Sequence, residues 1–298
     1  MTDWKQKKYE YALRIGYIVP DDPEFEHTFV GALLKKYPQN IRVIHEMKDA
    51  LGHLPQWTDI TDRLLRDLKD ALETDTSANT RRTYYACIKA TLNAYSGEAD
   101  FPSKKYAEIL RVHGEPTQNV YLTEEEIRRI YDYSPQSEEE RYVRKIFLIS
   151  CYTGARHSDA ETMTADNIDG DTLSYVSQKT KTECRLPAHI NLHELIAEGT
   201  HIEINALDFN ETLRGICRKC EITGKMKLFR RGGVELNHKY NFVASHTARR
   251  SFCTNLHLRG ADLLSISKMA GHSSIEMTKR YIVGYKEHSK EIIEFFNT

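Results

Sequence analysis

The sequence predicts a mainly α-helical protein with a small β-component, arranged as a helical N-terminal domain followed by a mixed α/β domain. Its 298 residues are too many for one small core and suit two domains. Apolar residues recur at helical spacing, as along 60–72, where every fourth position is isoleucine or leucine. Strand-like alternation, by contrast, is confined to short stretches at 172–187 and 224–241, which keeps the β-component small.

The composition is that of an ordinary globular protein, with 40% hydrophobic and 29% charged residues. No apolar run approaches the roughly 20 residues that cross a bilayer. The N-terminal stretch MTDWKQKKYEYALRIGY also lacks the apolar centre of a secretory signal. These observations predict a cytoplasmic protein.

Six cysteines in 298 residues are too sparse for a disulfide scaffold. Cys217 and Cys220 form a CxxC pair, but no second CxxC or HxxxH supplies the other two ligands of a zinc site. Both cysteines also fall inside a predicted helix, where they can serve as small apolar side chains. We therefore predict no metal and no cofactor.

The net charge of −1 gives the whole chain no basic character, although DNA binding depends on Lys and Arg. The distribution is uneven, however. Residues 214–250 contain ten Lys and Arg against two acids, and residues 76–97 contain Arg81, Arg82 and Lys89 with no acid. Two locally basic stretches permit a nucleic-acid-binding face, although such runs are often only solvated surface.

The first part of the chain is predicted to be helical from 27 to 97, after an N-terminal extension at 1–26. A helix over 59–72 is followed by one from Thr80 to about Tyr95, which either Ser77 or Asn79 caps. Glycine and proline at 97–102 end that helix, and VHGEPT at 112–117 has the composition of a linker. The domain limits are therefore 27–112 for the helical domain, 113–120 for the linker and 121–285 for the second domain.

The second domain begins with a capping box at Thr123–Glu126, which opens a helix to about Tyr131. A helix over 138–152 ends at Gly154, and Ser158–Glu161 is a second capping box. Asp169-Gly170 is a hairpin-type turn. The remaining predictions are a strand at 172–178, a turn at 179–182, a strand ending at Pro187, a helix at 208–221, a hairpin within 224–241, helices at 246–259, 262–270 and 274–283, and an amphipathic piece at 286–297.

Three stretches carry side chains suited to phosphate chemistry. In SHTARRSF, Ser245 is a plausible N-cap, which places His246 and Arg249 three residues apart on the first turn of a helix. A helix N-terminus with an imidazole and a guanidinium is an anion site. A chance HxxR on a surface helix is the alternative.

In YTGARHSD, Arg156 lies in a tight connection between the helix that Gly154 ends and the helix that Ser158 caps. An arginine held by such a turn loses little freedom when it binds an anion. Asp159 is placed to orient its guanidinium. The alternative is an ordinary interhelical loop.

In AGHSSIEMTKRY, Gly271 ends one helix and Ser273 with Glu276 forms a capping box for the next. His272 then lies in the turn and Tyr281 about two turns into the new helix. A phenol has a pKa of about 10 and needs neighbouring cations or a base to act as a nucleophile. Taken alone, a packing role is the simpler interpretation of one tyrosine among 17.

The order of these motifs resembles the tyrosine recombinase, or phage-type integrase, family. An arginine, a lysine on a β-turn, HxxR, GH and a tyrosine nine residues later occur here in that order, from about Leu122 to Tyr281. The stretch SHTARRSF is especially similar to integrases of Bacteroides-lineage mobile elements. The resemblance implies a helical core-binding domain that clamps DNA, followed by a mixed α/β catalytic domain.

The resemblance also implies a role for each matching residue. Arg156 and Arg249 would hold the scissile phosphate, with Asp159 behind Arg156. His246 would assist proton transfer and His272 would bind the phosphate. Tyr281 would be the nucleophile, because Tyr285 lacks the family spacing from His272.

The family lysine leaves two candidates in the turn, Lys179 and Lys181. In the family it commonly precedes the closing proline of the second strand by eight residues, and Pro187 therefore favours Lys179.

The implied function is site-specific cleavage and rejoining of double-stranded DNA through a 3′-phosphotyrosyl intermediate, without metal or external energy. The resemblance implies a homotetramer on DNA, a monomer when free, and a segment 286–298 that either docks on a neighbouring protomer or packs on its own domain. A catalytically silent regulator of the same fold and a type IB topoisomerase are the alternatives. The predicted DNA-binding residues are Arg81, Arg82, Lys89, Arg230, Arg231 and Arg250.

Overall fold

The computed structural model describes residues 3–18, 25, 27–115, 119–199, 201–230 and 233–284. They form two compact units, Met1–Thr117 with Arg230–Gly233, and Gln118–Phe229 with Val234–Thr298. The chain passes from the first unit to the second within the stretch predicted as a linker, 113–120.

The first unit is helical. Three of its helices begin at a hydroxyl side chain that satisfies a free backbone N–H: Thr28, Thr61 and Ser77 each accept a hydrogen bond from the residue three positions on. Ser77, not Asn79, is thus the cap. The helices are α1 Asp3–Arg14, α2 Phe29–Lys36, α3 Ile41–Leu51, α4 Asp62–Glu73, α5 Ala78–Ala94 and α6 Tyr106–Ile109, with 3₁₀ turns at Pro38–Asn40 and Trp57–Asp59.

The chain before residue 27 differs from the prediction, because α1 lies where only an extension before the first helix was expected. Ala12, Tyr17 and Ile18 are buried in the same apolar core as Phe29 and Leu33. Helical periodicity in α1 is obscured by its many charged side chains, and the tertiary contacts of a few apolar positions stabilise it instead.

Arg81 on α5 corrects another prediction, since it was expected to be partly exposed and available to DNA. Its side chain is only 8% exposed and donates hydrogen bonds to the Thr76 carbonyl at 2.6 Å and the Glu73 carboxylate at 3.2 Å. These bonds join the end of α4 to the start of α5. Arg82 is exposed and Lys89 is half-buried, as expected for residues on the outer side of the helix.

The second unit contains the strands that the sequence predicted. Its helices are α7 Glu124–Asp132, α8 Glu138–Thr153, α9 His157–Glu161, α10 Leu192–Ala197, α11 Ala206–Lys219, α12 Ser245–Leu258, α13 Leu263–Ala270 and α14 Ile275–Tyr281. Its strands are β1 Ile168–Asp169, β2 Thr172–Val176, β3 Glu183–Pro187, β4 Lys225–Arg230 and β5 Gly233–His238. 3₁₀ turns lie at Ala165–Asn167 and Lys239–Phe242.

The strands form two small sheets. β1, β2 and β3 are antiparallel neighbours, with Ile168 opposite Leu173 and Thr172 opposite Pro187. β4 and β5 form a separate two-stranded sheet, which matches the hairpin predicted within 224–241. The mainly α-helical fold with a small β-component is thereby confirmed.

The core of the second unit surrounds α8. This helix is buried along most of its length, and α7, α9, α10, α11 and α12 all pack against it. The position of α8 matters for function because its C-terminal end, at Gly154, leads directly to Arg156. In the described part of the chain, no helix is long and apolar enough to span a membrane.

Candidate active site

Arg156 lies between the end of α8 and the start of α9. Gly154 has a left-handed backbone (φ +68°) and ends α8. The site has no room for a larger residue, because an added Cβ would lie 2.5 Å from the Phe252 ring. α9 begins at His157 with Arg156 itself in the N-cap position, so the capping box predicted at Ser158 is wrong. Ser158 instead sits inside the first turn.

Asp159 is buried, at 3% exposure, but its carboxylate makes no direct hydrogen bond with the Arg156 guanidinium. The shortest distance from its carboxylate to the Arg156 guanidinium is 4.0 Å. The hydroxyl of Ser177 lies between them, accepting from Arg156 Nη1 at 2.7 Å and donating to Asp159 Oδ2 at 3.1 Å. The second carboxylate oxygen, Oδ1, accepts from the backbone N–H of Gln178 at 2.9 Å. Sequence reasoning did not find Ser177, since no spacing rule marks it.

The turn from Ser177 to Thr182 contains both candidate lysines. The Ser177 N–H donates to the Thr182 carbonyl at 2.9 Å, and the Lys181 N–H donates to the Ser177 carbonyl at 2.8 Å. Lys181 has a left-handed backbone, with φ of 54°. Lys179 is exposed and lines a cavity of about 320 Å³ together with Arg156 and His246.

His246 lies in the first turn of α12, as predicted, but Ser245 is not its N-cap. Ala244 occupies that position and its N–H donates to Thr247 Oγ1 at 3.0 Å, while the Ser245 N–H donates to Asn210 Oδ1 at 2.8 Å. The pKa of His246 is lowered by partial removal from water and then by repulsion from nearby cations. These cations are Arg250, Arg249, Arg156 and Lys179.

Arg249 is the most buried charged residue of the cluster, at 1% exposure. Its Nη1 donates to the Gly154 carbonyl at 2.5 Å and its Nε donates to His272 Nε2 at 3.2 Å. Its Nη2 is buried and makes no hydrogen bond with the described residues. Burial lowers the pKa of Arg249, and repulsion from Arg156 adds to the effect. A buried donor without a partner is costly, and an anionic ligand would satisfy it.

His272 follows Gly271, whose left-handed backbone ends α13. Its ring is buried, and a hydrogen bond of 2.9 Å joins Nδ1 to Thr278 Oγ1. Burial, followed by repulsion from Arg249 and Arg156, lowers the pKa of His272 to about 3. The ring is therefore neutral at physiological pH. Thr278, which holds it, was not singled out from the sequence.

Tyr281 is the last residue of α14, which begins one residue later than predicted. Ser274 is its N-cap, with Oγ accepting from the Met277 N–H at 3.2 Å, so the capping box at Ser273 is wrong. The half-buried Tyr281 ring stacks on His272, with centroids 4.8 Å apart. The Arg249 guanidinium carbon lies 5.2 Å from the Tyr281 ring centroid, and the His246 ring centroid lies 6.4 Å from it.

The structure thus gathers residues from four distant stretches into one cluster. It joins Arg156 and Asp159 to the Lys179 turn, and His246 and Arg249 to His272 and Tyr281. Several positive groups at a cavity favour an anion such as a phosphate.

The residues predicted to bind DNA occupy both units of the chain. Arg82 and Lys89 belong to the first unit, and Arg250 is half-buried beside Arg249. Arg230 ends β4, but its side chain and the whole of Arg231 lie outside the described residues. Tyr285 and the predicted amphipathic piece at 286–297 also lie outside the described residues.

The two cysteines of the CxxC pair are apolar in their surroundings. Cys217, on α11, and Cys220, directly after it, are both buried, and burial raises the pKa of each thiol, that of Cys220 to about 11. A protonated thiol is a poor metal ligand. Among the described residues, no group of three His, Cys, Asp or Glu side chains is placed to hold a metal.

Comparison with known proteins identifies the family of the chain. The family model of the phage integrase family matches residues 120–288, which is more than half of the chain. The chain belongs to the phage integrase family. The matched region contains the whole cluster, from Arg156 to Tyr281.

The chain is also similar to a curated phage integrase, and its fold is similar to two solved structures. It is 23% identical over 212 residues to the integrase of Haemophilus phage HP1, an alignment that covers 71% of this chain and 58% of that integrase. The chain thus spans less than two thirds of this curated relative. The fold is similar to the Tn1549 transposon integrase in complex with a circular intermediate DNA, with a TM-score of 0.61 at 13% identity over 99% of both chains. It is also similar to the lambda integrase tetramer bound to a Holliday junction, with a TM-score of 0.59 at 16% identity over 96% of this chain and 78% of the other. The resemblance to elements of the Bacteroides lineage stays a prediction.

Proposed function

We propose that this phage integrase family member is a site-specific DNA recombinase whose nucleophile is Tyr281. The observation that carries the proposal is the position of the Tyr281 ring, stacked on His272 and beside the buried guanidinium of Arg249. The phenolic oxygen attacks a DNA phosphodiester, the bond between phosphorus and the 5′ oxygen breaks, and a 3′-phosphotyrosyl link forms. The reverse attack by a 5′ hydroxyl of another strand rejoins DNA without external energy.

The arginines supply the electrostatic part of the reaction. Arg249 Nη2 is a buried donor with no partner among the described residues, and Arg156 lines the adjoining cavity. Two guanidiniums hold the non-bridging oxygens of the scissile phosphate and stabilise the charge that builds up at phosphorus. Positioning and charge stabilisation account for most of the catalysis in phosphoryl transfer.

Proton transfer involves His246 and Lys179. The pKa of His246 is lowered, so that the ring is unprotonated at neutral pH and accepts the phenolic proton as Tyr281 attacks. Lys179 donates a proton to the leaving 5′ oxygen. Lys179 is favoured over Lys181 because it lines the same cavity as Arg156 and His246. His272 stays neutral and positions the Arg249 guanidinium, whose Nε donates to His272 Nε2.

The partner is double-stranded DNA. The lambda integrase structure is a tetramer on a Holliday junction, and we propose the same assembly on DNA for this chain, with a monomer when free. Residues 27–112 would clamp the duplex and 121–285 would perform the chemistry, with 286–298 docking on a neighbouring protomer. Arg82, Lys89, Arg230, Arg231 and Arg250 would contact DNA. A DNA-acting enzyme of this kind works in the cytoplasm.

The test uses a pool of nicked duplexes with a randomised segment, because a nick lets the released strand diffuse away and traps the covalent adduct. Wild-type protein is expected to give adducts on denaturing gels, with phosphotyrosine after protease digestion. Tyr281→Phe should abolish the adduct and keep DNA binding. Tyr240→Phe is the matched control, since Tyr240 lies in the same unit outside the cluster, stacked on His238.

The other outcomes identify the alternatives. An adduct that persists with Tyr281→Phe rejects the assignment of the nucleophile. DNA binding by wild-type protein without any adduct indicates a silent regulator. Relaxation of supercoiled plasmid with no preferred sequence indicates a topoisomerase.

A further inference from the structure

Ser177, the residue after β2, connects Arg156 and Asp159 to the turn that carries Lys179. Its side chain is fully buried and its hydroxyl lies between the Arg156 guanidinium, 2.7 Å away, and the Asp159 carboxylate, 3.1 Å away. The Arg156 guanidinium and the Asp159 carboxylate form an ion pair 4.0 Å apart, without a direct hydrogen bond between the two side chains. The hydrogen-bonded path between these two side chains therefore runs through the Ser177 hydroxyl.

We propose that Ser177 is a positioning residue that orients Arg156 toward the scissile phosphate. The proposal rests on the proposed function. The hydroxyl accepts a hydrogen bond from Arg156 Nη1 and donates one to Asp159 Oδ2, and the charge of the carboxylate strengthens the bond between the hydroxyl and the guanidinium. Because the carboxylate makes no hydrogen bond with the guanidinium, the remaining N–H groups of Arg156 stay available to a phosphate.

The backbone of Ser177 extends the connection to the lysine turn. Its N–H and carbonyl make the two hydrogen bonds that close the turn, to Thr182 and from Lys181. The next residue, Gln178, donates its N–H to the second oxygen of Asp159. One carboxylate thus holds the arginine through a side chain and the lysine turn through the backbone. Replacing the Ser177 side chain removes the first link and leaves the second.

This separation makes the proposal testable with three versions of one duplex recovered from the randomised pool. The first has a normal scissile phosphate. In the second, a neutral methylphosphonate replaces it, which reduces the charge that Arg156 must stabilise. In the third, sulfur replaces the bridging 5′ oxygen, so that the leaving thiolate needs no proton from Lys179. The measurement is the single-turnover rate of adduct formation.

Ser177→Ala is expected to slow cleavage of the normal phosphate by roughly tenfold to a hundredfold, the effect of one hydrogen bond to a charged group. The loss should be clearly smaller on the methylphosphonate and undiminished on the sulfur substrate. Asp159→Asn should give the same pattern and serves as a second variant in case Ser177→Ala unfolds. Ser174→Ala, on the strand β2 that precedes Ser177, is the control, because only the carbonyl of Ser174 takes part in the hydrogen bond from Asn167.

Each remaining outcome contradicts a specific part of the argument. An equal loss on all three substrates overturns the positioning role and indicates a general structural defect. If the rate of Ser177→Ala recovers only on the sulfur substrate, the hydroxyl acts on the turn that carries Lys179. That result also overturns the proposal for Arg156. If the wild-type protein cleaves none of the substrates, the proposed function itself fails.

Discussion

Arg249 and His272 are joined by one hydrogen bond, in which Arg249 Nε donates to His272 Nε2 across 3.2 Å. Because arginine only donates, Nε2 must carry a lone pair. The ring proton of the neutral imidazole is then on Nδ1, where it donates to Thr278 Oγ1 at 2.9 Å. Thr278 and Arg249 together therefore select a single neutral tautomer of His272.

The neutral state of His272 predicts that acid destabilises the second unit. The pKa of His272 is about 3 in the folded protein and about 6.5 in the unfolded chain. As the pH falls, the unfolded chain therefore binds this proton before the folded protein does. The free energy of unfolding has its full value above about pH 6.5 and decreases as the pH falls toward 3. The expected loss is about 1.4 kcal/mol per pH unit within this window.

His272→Gln should flatten that dependence. Urea unfolding midpoints measured at about pH 7 and about pH 5, on either side of the ordinary histidine pKa, would show a smaller difference for the variant than for the wild type. His257→Gln, at the end of α12, is the control. If both variants keep the slope of the wild type, His272 is not neutral in the folded state.

Thr278→Val tests the tautomer directly, because valine keeps the shape of threonine and lacks the hydroxyl. The buried Nδ1–H would lose its acceptor, at a cost of about 1–3 kcal/mol in the free energy of unfolding. Thr278→Ser keeps the hydroxyl and loses one methyl group, which costs about 1 kcal/mol. Chemical denaturation compares the two. We also expect the serine variant to keep adduct formation better than the valine variant, and the reverse order would contradict the assigned hydrogen bond.

Gly271→Ala should destabilise the turn before His272 for two separate reasons. The backbone there is left-handed (φ +64°), and an added Cβ would lie 2.4 Å from Cys184 Sγ. Together these effects predict a loss of about 2 kcal/mol or more. In the double variant with Cys184→Ala, the steric part should disappear and the backbone part should stay. A double-mutant cycle from unfolding curves measures this coupling, and strict additivity would show that Cys184 does not limit the space.

Arg81 and Arg82 are adjacent in sequence, but Arg81 is buried and Arg82 is exposed, so substitutions at the two positions should have different effects. Arg81→Ala removes the bonds to Thr76 and Glu73 and should lower the free energy of unfolding of the first unit, since it leaves a partly buried carbonyl without its donor. Arg82→Ala should leave stability within about 0.5 kcal/mol. It should also reduce the slope of log binding constant against log salt by about one, if Arg82 contacts a DNA phosphate. Unfolding curves and salt titrations of DNA binding separate the two, and an unchanged slope for Arg82→Ala removes it from the interface.

Local rules were enough to predict much of the fold. Helix α8 ends at Gly154 because glycine adopts the left-handed backbone conformation with little strain. Helix α7 begins at the Thr123 capping box, whose hydrogen bonds lie within four residues. The β2–β3 turn follows from the same kind of short-range pattern. These features depend on residues close in sequence. The order and spacing of the motifs indicated the family, and the positions that match the family pattern indicated the residues of the candidate site.

Helix starts were less predictable where distant partners compete with local ones. The sequence suggested Ser245 as an N-cap, but its N–H instead donates to Asn210, 35 residues away. Arg81 was similarly misjudged, because its helix position alone does not reveal that the end of α4 lies within its reach.

The sequence by itself determined the fold class, the order of the motifs and the identity of Arg156, His246, Arg249, His272 and Tyr281 as candidates. Only the tertiary structure decided how they interact. It brought Ser177 between Arg156 and Asp159, and it placed Thr278 against His272. A hydroxyl is common on any strand or helix, and it acquires a specific role only when packing removes water and leaves a charged or titratable group as its partner.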